Sequence, residues 1–311
     1  MHSAAFPTLS GTTDVYLIVG YPVAQVQAPA LFNAVFARAG LNAVMVPVEI
    51  APLHLLAFVK SAFLAPNVRG LCATIPHKSA LADAMHRSSP SAHMAGAVNA
   101  VRRHADGHLE GELFDGQGLR AALDYFGMAY SGRRVLVLGA GGAAAAIATE
   151  LASAAPHAAA QVCLYDPAPG KALALARRIA AATPAPVAAV TTNDPAGFDL
   201  VINASPLGLH PDDALPCDVQ RMEPHAAVMD IVMKHQPSRW VRAARARGLQ
   251  AQPGFEMLIQ QTVPYLEFFG LHQAAQLVRD DATFLREQIY PHTLRSEIRG
   301  REPHRLIPAL L

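Results

Sequence analysis

The sequence predicts an α/β protein of two domains, one of them Rossmann-like, and three observations carry that reading. Short apolar runs alternate with segments of helical periodicity over most of the chain, the pattern of βαβ units and parallel sheets. The stretch Arg133-Arg134-Val135-Leu136-Val137-Leu138-Gly139-Ala140-Gly141-Gly142-Ala143-Ala144 reads as a strand buried on both faces that turns through glycines into an alanine-rich helix. With 311 residues, 52% of them hydrophobic and 16% charged, the chain is long enough for two well-buried cores and unlike a disordered one.

Val15 to Gly20 is a strand ending at glycine, and Tyr21-Pro22 enforces a loop after it. Apolar spacing from Ala30 through Phe36, with Ala39-Gly40 beyond, predicts a helix closed by a C-terminal glycine. Val44 to Val48 is a second strand, Leu53 to Phe63 has helical spacing, and Gly70 to Ile75 is a third strand interrupted by Pro76. Ala97 to Arg102 and Leu109 to Gly111, joined through Asp106-Gly107, form a hairpin, and a helix from Leu119 to Phe126 leads into Val135. Beyond the glycine turn the order is a strand at Gln161 to Asp166, a helix at Lys171 to Ala182, and strands at Val187 to Val190, Leu200 to Asn203 and Ala227 to Val232. A helix at Arg239 to Arg247 completes this unit. Met257, Leu258, Ile259, Val263, Leu266, Phe268 and Phe269 then mark an apolar helix, and one further helix spans Gln273 to Gln288. These late helices are expected to return to the first domain. The chain then divides into residues 1–115, with 254–290 packed back onto them, a Rossmann unit at 116–253, and a tail at 291–311.

A formal net charge of +1 gives no footprint for nucleic acid or an anionic membrane. The basic end, Arg295, Arg299, Arg301 and Arg305, reads as a solvated terminus. Cys72, Cys163 and Cys217 are odd in number and far apart, which argues against a disulfide scaffold or zinc site, and the 14 histidines form no metal-binding motif. No metal is expected. Residues 1–14 lack the basic and apolar regions of a signal peptide, and no apolar run reaches membrane-spanning length, so a cytoplasmic location is expected. Monomer and homodimer both stay open.

Gly139, Gly141 and Ala144 match G-x-G-x-x-[G/A]. The first glycine permits the tight turn, the second lets a pyrophosphate approach the backbone, and the third small residue lets helix and strand pack closely. Asp166 follows Val162-Cys163-Leu164-Tyr165, roughly twenty residues on, where an acid accepts bonds from the adenosine ribose hydroxyls. An acid there repels a 2′-phosphate, so NAD is favoured over NADP, although Lys171 is close enough in sequence to rescue a phosphate. The alternative for Asp166 is a turn cap before Pro167.

Five ordered motifs between about Val15 and Gln288 resemble the shikimate/quinate dehydrogenase family. Gly70-Leu71-Cys72-Ala73-Thr74-Ile75-Pro76-His77-Lys78 resembles the loop bearing that family's catalytic lysine, with Thr74 on its substrate side. Gly96-Ala97-Val98-Asn99 resembles the segment supplying a substrate-binding Asn, and Asp115-Gly116 the segment supplying the catalytic Asp. Ile202-Asn203-Ala204-Ser205-Pro206-Leu207-Gly208 is similar to the strand end at the nicotinamide pocket. Gly254-Phe255-Glu256-Met257-Leu258-Ile259-Gln260-Gln261 is similar to the closing helix whose second Gln binds substrate. The resemblance implies catalysis by Lys78 and Asp115 and substrate contacts at Thr74, Asn99 and Gln261. It implies cofactor contacts at Gly139, Ala140, Gly141, Gly142, Ala143, Ala144, Asp166 and Pro167, and at Asn203, Ser205, Pro206, Leu207, Val232, Gly254, Met257 and Leu258. Hydride transfer between an alcohol and a ketone needs a group that exchanges a proton at the oxygen, and a lysine oriented by a carboxylate meets that need.

The departures fall on the substrate side. Val26 and Ala28 stand where the family carries two carboxylate-binding serines, Leu113-Phe114 replaces a polar pair, Cys72 an Asn and Met233 a Tyr. Hydrogen bonds to a charged group contribute about 1.5–3 kcal/mol each, so losing two costs roughly two to four decades of affinity. The expectation is a shikimate dehydrogenase-like oxidoreductase using NAD on a cyclic alcohol, with poor activity on shikimate. Gln25 and Gln27 are alternative donors. A genuine quinate/shikimate dehydrogenase and a noncatalytic NAD-binding regulator are the rival readings.

Overall fold

The computed structural model describes residues 9–153 and 156–299. In the first half, chain order is β1 (Asp14–Gly20), α1 (Ala28–Arg38), β2 (Ala43–Glu49), α2 (Leu55–Ala62), β3 (Val68–Ala73), α3 (Lys78–Ala82), β4 (Arg87–Ser88), α4 (Pro90–Ala95), β5 (Ala100–Arg103) and β6 (Leu109–Glu112). The strands form one sheet in the order β2-β1-β3-β5-β6-β4. β1 is parallel to β2 and β3, whereas β5 is antiparallel to both β3 and β6. α3, α4 and β4 carry no apolar periodicity and were not anticipated. They are short, and α4 is fixed by the Ser89 side chain accepting from Ala92 N and by Gly96 in the left-handed region after it.

The second half runs α5 (Asp115–Phe126), β7 (Arg134–Leu138), α6 (Gly142–Ser153), β8 (Gln161–Tyr165), α7 (Lys171–Ala180), β9 (Val187–Ala189), β10 (Leu200–Asn203), β11 (Ala227–Asp230), α8 (Arg239–Ala246) and β12 (Gln250–Pro253). Its six strands are all parallel, in the order β12-β11-β10-β7-β8-β9. That is the doubly wound Rossmann order, with its switch point between β7 and β10. β12, with the sequence Gln-Ala-Gln-Pro, has too little apolar character to announce itself and is an edge strand.

The chain closes with α9 (Phe255–Phe268), α10 (His272–Asp280), α11 (Thr283–Ile289) and α12 (Arg295–Arg299). The single helix expected over Gln273 to Gln288 is two, because Asp281 leaves the helix and its Oδ1 accepts from Thr283 N at 2.8 Å to start α11. The late helices return to the first domain: Ile259, Leu266, Val278 and Leu285 share an apolar cluster with Tyr16, Leu31, Phe32 and Phe36. Leu294 joins that cluster at 2% exposure, while Arg295 next to it is exposed, as a solvated basic end requires. Arg301, Arg305 and residues 1–8 lie outside the described residues.

α5 begins at Asp115, four residues before the apolar spacing suggests, and runs through Gly116 and Gly118. Glycine costs a helix about 1 kcal/mol per residue. Here the cost is offset by close approach on two sides. A Cβ on Gly116 would lie 2.7 Å from Glu150 Cβ and closer still to the Ala146 carbonyl of α6, and one on Gly118 would lie 2.6 Å from the Met257 carbonyl of α9. α5 is therefore wedged between the helix that follows the glycine turn and the first returning helix. A continuous apolar cluster passes from Val19, Leu71 and Val101 of the first sheet through Leu119, Leu123 and Ile147 to Val137 and Ile202 of the second. No helix among the described residues is long and apolar enough to cross a membrane, and no group of His, Cys, Asp or Glu side chains there is arranged to hold a metal.

Candidate active site

A cleft enclosing about 1190 Å³, open to solvent, separates the carboxyl ends of β1 and β3 from the switch point of the second sheet. Open α/β sheets bind ligands at this place, because the loops after β7 and β10 diverge there.

On the first-domain side, Lys78 opens α3 and donates from Nζ to Asp115 Oδ2 at the start of α5. The two side chains are 12% and 7% exposed, so the pair is largely shielded while both residues line the cleft. Lys78 is also set against α6, since a Cβ on Gly142 would come within 2.8 Å of Lys78 Cβ. Thr74 and Gln261 line the same wall. Asn99 is fully buried behind it. Its Oδ1 accepts from Phe114 N at 3.0 Å and its backbone oxygen accepts from Tyr265 OH at 3.2 Å, while its Nδ2 has no partner among the described residues. Val98 N donates to the Lys78 carbonyl at 2.9 Å, tying the Asn99 segment to the lysine. His77, buried beneath, pairs Nε2 with the Ile50 carbonyl at 2.9 Å, and burial holds its imidazole below the ordinary value.

On the opposite side, Gly139 has φ +114°, and a Cβ there would lie 2.6 Å from the Ala204 carbonyl. A Cβ on Gly141 would meet nothing within 4 Å. Packing thus requires the first glycine, and the space over the second is left for a ligand. The α6 N-terminus faces that space, with Ala143 on the cleft wall and Ala144 fully buried against the sheet. Asp166 is a turn cap and more. Oδ1 accepts from Ala168 N and Oδ2 from Ala140 N, each at 2.9 Å, and Lys171 Nζ lies 3.7 Å from Oδ2. The carboxylate braces the glycine turn itself, with Pro167 leading the chain away.

Ser205, Pro206, Val232, Gly254, Met257 and Leu258 line the cleft. Asn203 does not. It is fully buried: Nδ2 donates to Asp230 Oδ1 and to the Leu207 carbonyl, both at 2.9 Å, and Oδ1 accepts from Ser205 Oγ at 2.6 Å. Leu207 faces away with it. Sequence reasoning missed the hub of this arrangement, Asp230. It also accepts from Ser238 Oγ at 2.7 Å and Val232 N at 3.2 Å, and burial pushes its carboxyl up against the donors that pull it down. An acid ending a strand was visible in the sequence, but partners eight and twenty-seven residues away were not.

Val26 and Ala28 both line the substrate end of the cleft, with Met233 nearby. Gln25 turns back on its own loop, Nε2 donating to the Pro22 carbonyl at 2.8 Å. Phe114 is not on the wall. It packs behind Tyr265 and Phe268, with ring centroids 4.8 and 5.8 Å apart.

An open glycine turn at a Rossmann switch point, with a buried lysine–carboxylate pair packed beside the helix that follows it, defines the class: a two-domain oxidoreductase that binds a nicotinamide dinucleotide. The family is more specific. Residues 18–101 match the shikimate dehydrogenase substrate binding domain. A shikimate dehydrogenase (NADP(+)) of Rubrobacter xylanophilus is 37% identical over 83% of this chain and 90% of its own length. One of Acidiphilium cryptum is 37% identical over 89% and 96%. The chain belongs to the shikimate/quinate dehydrogenase family. Among crystal structures, a shikimate dehydrogenase in complex with NADP+ superposes with TM-score 0.75 at 26% identity, covering 88% of this chain and 97% of that one. The ligand-free 5-ketofructose reductase of a Gluconobacter strain gives 0.73 at 29%, covering 86% and 100%. The quinate dehydrogenase of Corynebacterium glutamicum in complex with NAD gives 0.73 at 25%, covering 85% and 98%.

Proposed function

We propose that this chain transfers hydride between NAD and the carbinol carbon of a cyclic alcohol, and that shikimate itself is a poor substrate. The observation that carries the proposal is the Lys78–Asp115 pair, shielded on the cleft wall beside the helix that follows the glycine turn. Lys78 takes the proton from the substrate hydroxyl in oxidation and returns it in reduction, and Asp115 orients the ammonium and shares that hydroxyl. Thr74 and Gln261 offer hydrogen bonds to neighbouring ring hydroxyls. Asn99 does not line the cleft, and its buried, unpartnered Nδ2 would meet a ligand oxygen only if the wall in front of it shifted; leaving such a group unpaired costs about 1–3 kcal/mol.

The residues present fit a dinucleotide. Gly139 to Ala144 would hold the pyrophosphate, Asp166 the adenosine ribose, and Ser205, Pro206, Val232, Gly254, Met257 and Leu258 the nicotinamide end, with Asn203 shaping the loop from behind. When bound, the cofactor supplies the hydride acceptor or donor. NAD is favoured because Asp166 places negative charge where NADP carries its 2′-phosphate. The names of the most similar relatives point to NADP instead, and Lys171, 3.7 Å from Asp166, is the residue a phosphate would meet.

The test is reduction of NAD and of NADP with shikimate, quinate and a panel of neutral cyclic alcohols, for the wild type and Lys78→Ala. The variant is expected to lose about 10²–10⁴ in kcat, the usual contribution of a general acid–base, while keeping its NAD affinity. Full activity of the variant on every accepted substrate refutes the assignment, and higher kcat/KM with NADP refutes the cofactor choice. The second reading, a genuine shikimate dehydrogenase, is favoured by the 37%-identical relatives and is selected if shikimate outperforms every neutral alcohol. NAD binding without any turnover selects a noncatalytic regulator.

A further inference from the structure

We infer that the wall formed by Val26, Ala28 and Cys72 is a subsite for an uncharged, apolar ring substituent. The substrate class is then a neutral hydroxylated ring or its ketone, and Val26 with Ala28 are the residues that exclude a carboxylate. The inference rests on the proposed hydride transfer only for the position of the ring, because the subsite is defined by its own chemistry.

Three observations support it. First, Val26 and Ala28 offer no polar side-chain atom, and the donors beside them are neutral. Gln25 gives one Nε2 hydrogen to the Pro22 carbonyl, and in the first turn of α1 Pro29 has no N–H while Ala30 N and Leu31 N both donate to the Gln27 carbonyl. Second, the floor is apolar: Ile18, Phe32 and Cys72 are 6%, 1% and 3% exposed and continue into the cluster between the first sheet and the returning helices. A carboxylate seated there would lose its hydration with nothing in exchange. Third, no free cation among the described residues faces the floor. Lys78 is committed to Asp115, Lys234 is exposed at the rim, and burial pushes the Cys72 thiol and the Tyr265 phenol up, so both stay neutral. Gln25 and Gln27 are the neutral amides beside Val26 and Ala28, and they suit a carbonyl or hydroxyl better than a charge.

The test compares binding of shikimate and of its methyl ester, a pair differing in that charge, to the full chain with saturating NAD by calorimetry. The wild type is expected to bind the ester at least about tenfold more tightly than the acid. Val26→Ser/Ala28→Ser is expected to reverse the order, the acid gaining about a hundredfold from two hydrogen bonds to its charge. Unfolding without ligand shows whether the double variant folds, and where it does not, Ala28→Ser alone is expected to give about tenfold. Wild-type affinity for the acid equal to or above that for the ester, or binding of neither, overturns the inference. Acid affinity abolished by Lys234→Ala overturns it too, by placing the charge at the rim. Tight ester binding without NAD reduction on any alcohol leaves the subsite standing and removes the hydride-transfer reading instead.

Discussion

Replacing Gly116 by Ala tests whether the Lys78–Asp115 pair is held by the spacing of helices rather than by local contacts. The added Cβ would sit 2.7 Å from Glu150 Cβ, where ordinary contact begins at 3.4 Å, so α5 and α6 must separate by at least 0.7 Å. The Arg120 Nε to Glu150 Oε1 bond at 2.6 Å clamps the same two helices one turn further on and resists that separation. Overpacking of this kind costs about 1–3 kcal/mol, which lowers Tm by about 2–4 °C per kcal/mol in a domain of this size. The functional effect is larger than the structural one. Asp115 is the residue before Gly116, and Lys78 rests on α6 at Gly142, so parting α5 from α6 pulls the carboxylate off the ammonium. A misplacement near 1 Å can cost about 10² in rate. Thermal unfolding, NAD titration and steady-state dehydrogenation of the Gly116→Ala enzyme measure the three consequences. The expected result is a modest fall in Tm, retained NAD affinity and a kcat lowered by one to two decades, about 1.4–2.8 kcal/mol in barrier. A variant with wild-type Tm and kcat would refute the claim that this glycine sets the geometry of the pair.

The buried Glu256–Arg286 pair gives a second prediction. Arg286 donates to Glu256 from Nε at 3.0 Å and from Nη2 at 2.6 Å, fixing the first turn of α9, on which Met257 and Gln261 depend. Arg286→Met leaves the carboxylate buried without its countercharge, with Gln260 Nε2 and Tyr290 OH still donating to it, an expected loss of about 3–5 kcal/mol in urea unfolding, whereas Glu256→Leu/Arg286→Met is expected to recover most of it. A double variant as unstable as the single would show that the loss lies in packing rather than charge. The third prediction concerns pH. Burial holds the His77 imidazole below its ordinary value, so the unfolded chain binds that proton more readily than the folded one. Stability contributed by His77 is therefore complete above about pH 6.5 and is lost as pH falls from there toward the depressed folded value. His77→Asn, which keeps a donor for the Ile50 carbonyl, should flatten the fall of Tm between about pH 7 and 5. An unchanged slope would assign that fall to other groups.

The sequence was informative where physics is local. β1, β10 and the strand–glycine–helix passage at β7 and α6 fall within a residue or two of their expected places, because buried strands are short, branched and bounded by glycine or proline. It was silent where an element depends on distant partners. α3, which carries Lys78, has five residues and no periodicity, and it is held by contacts to the Asn99 segment and to α6. Asp115-Gly116-Gln117-Gly118 looks like a turn in one dimension and becomes a helix because two neighbouring helices approach too closely for any side chain but hydrogen. Asn203 and Asp230 show the same limit, since nothing along the chain distinguishes an amide that faces a ligand from one that fastens two loops together.

By itself the sequence determined the α/β class, the glycine turn and the likeness to a dehydrogenase family, all of which are properties of residue type and spacing. Only the tertiary structure decided that Lys78 meets Asp115, that Phe114 lies behind the wall rather than on it, and that Gln25 turns back to the Pro22 carbonyl. The reason is physical: composition fixes which groups are available, but the direction of a side chain is settled by the packing of segments far apart in sequence.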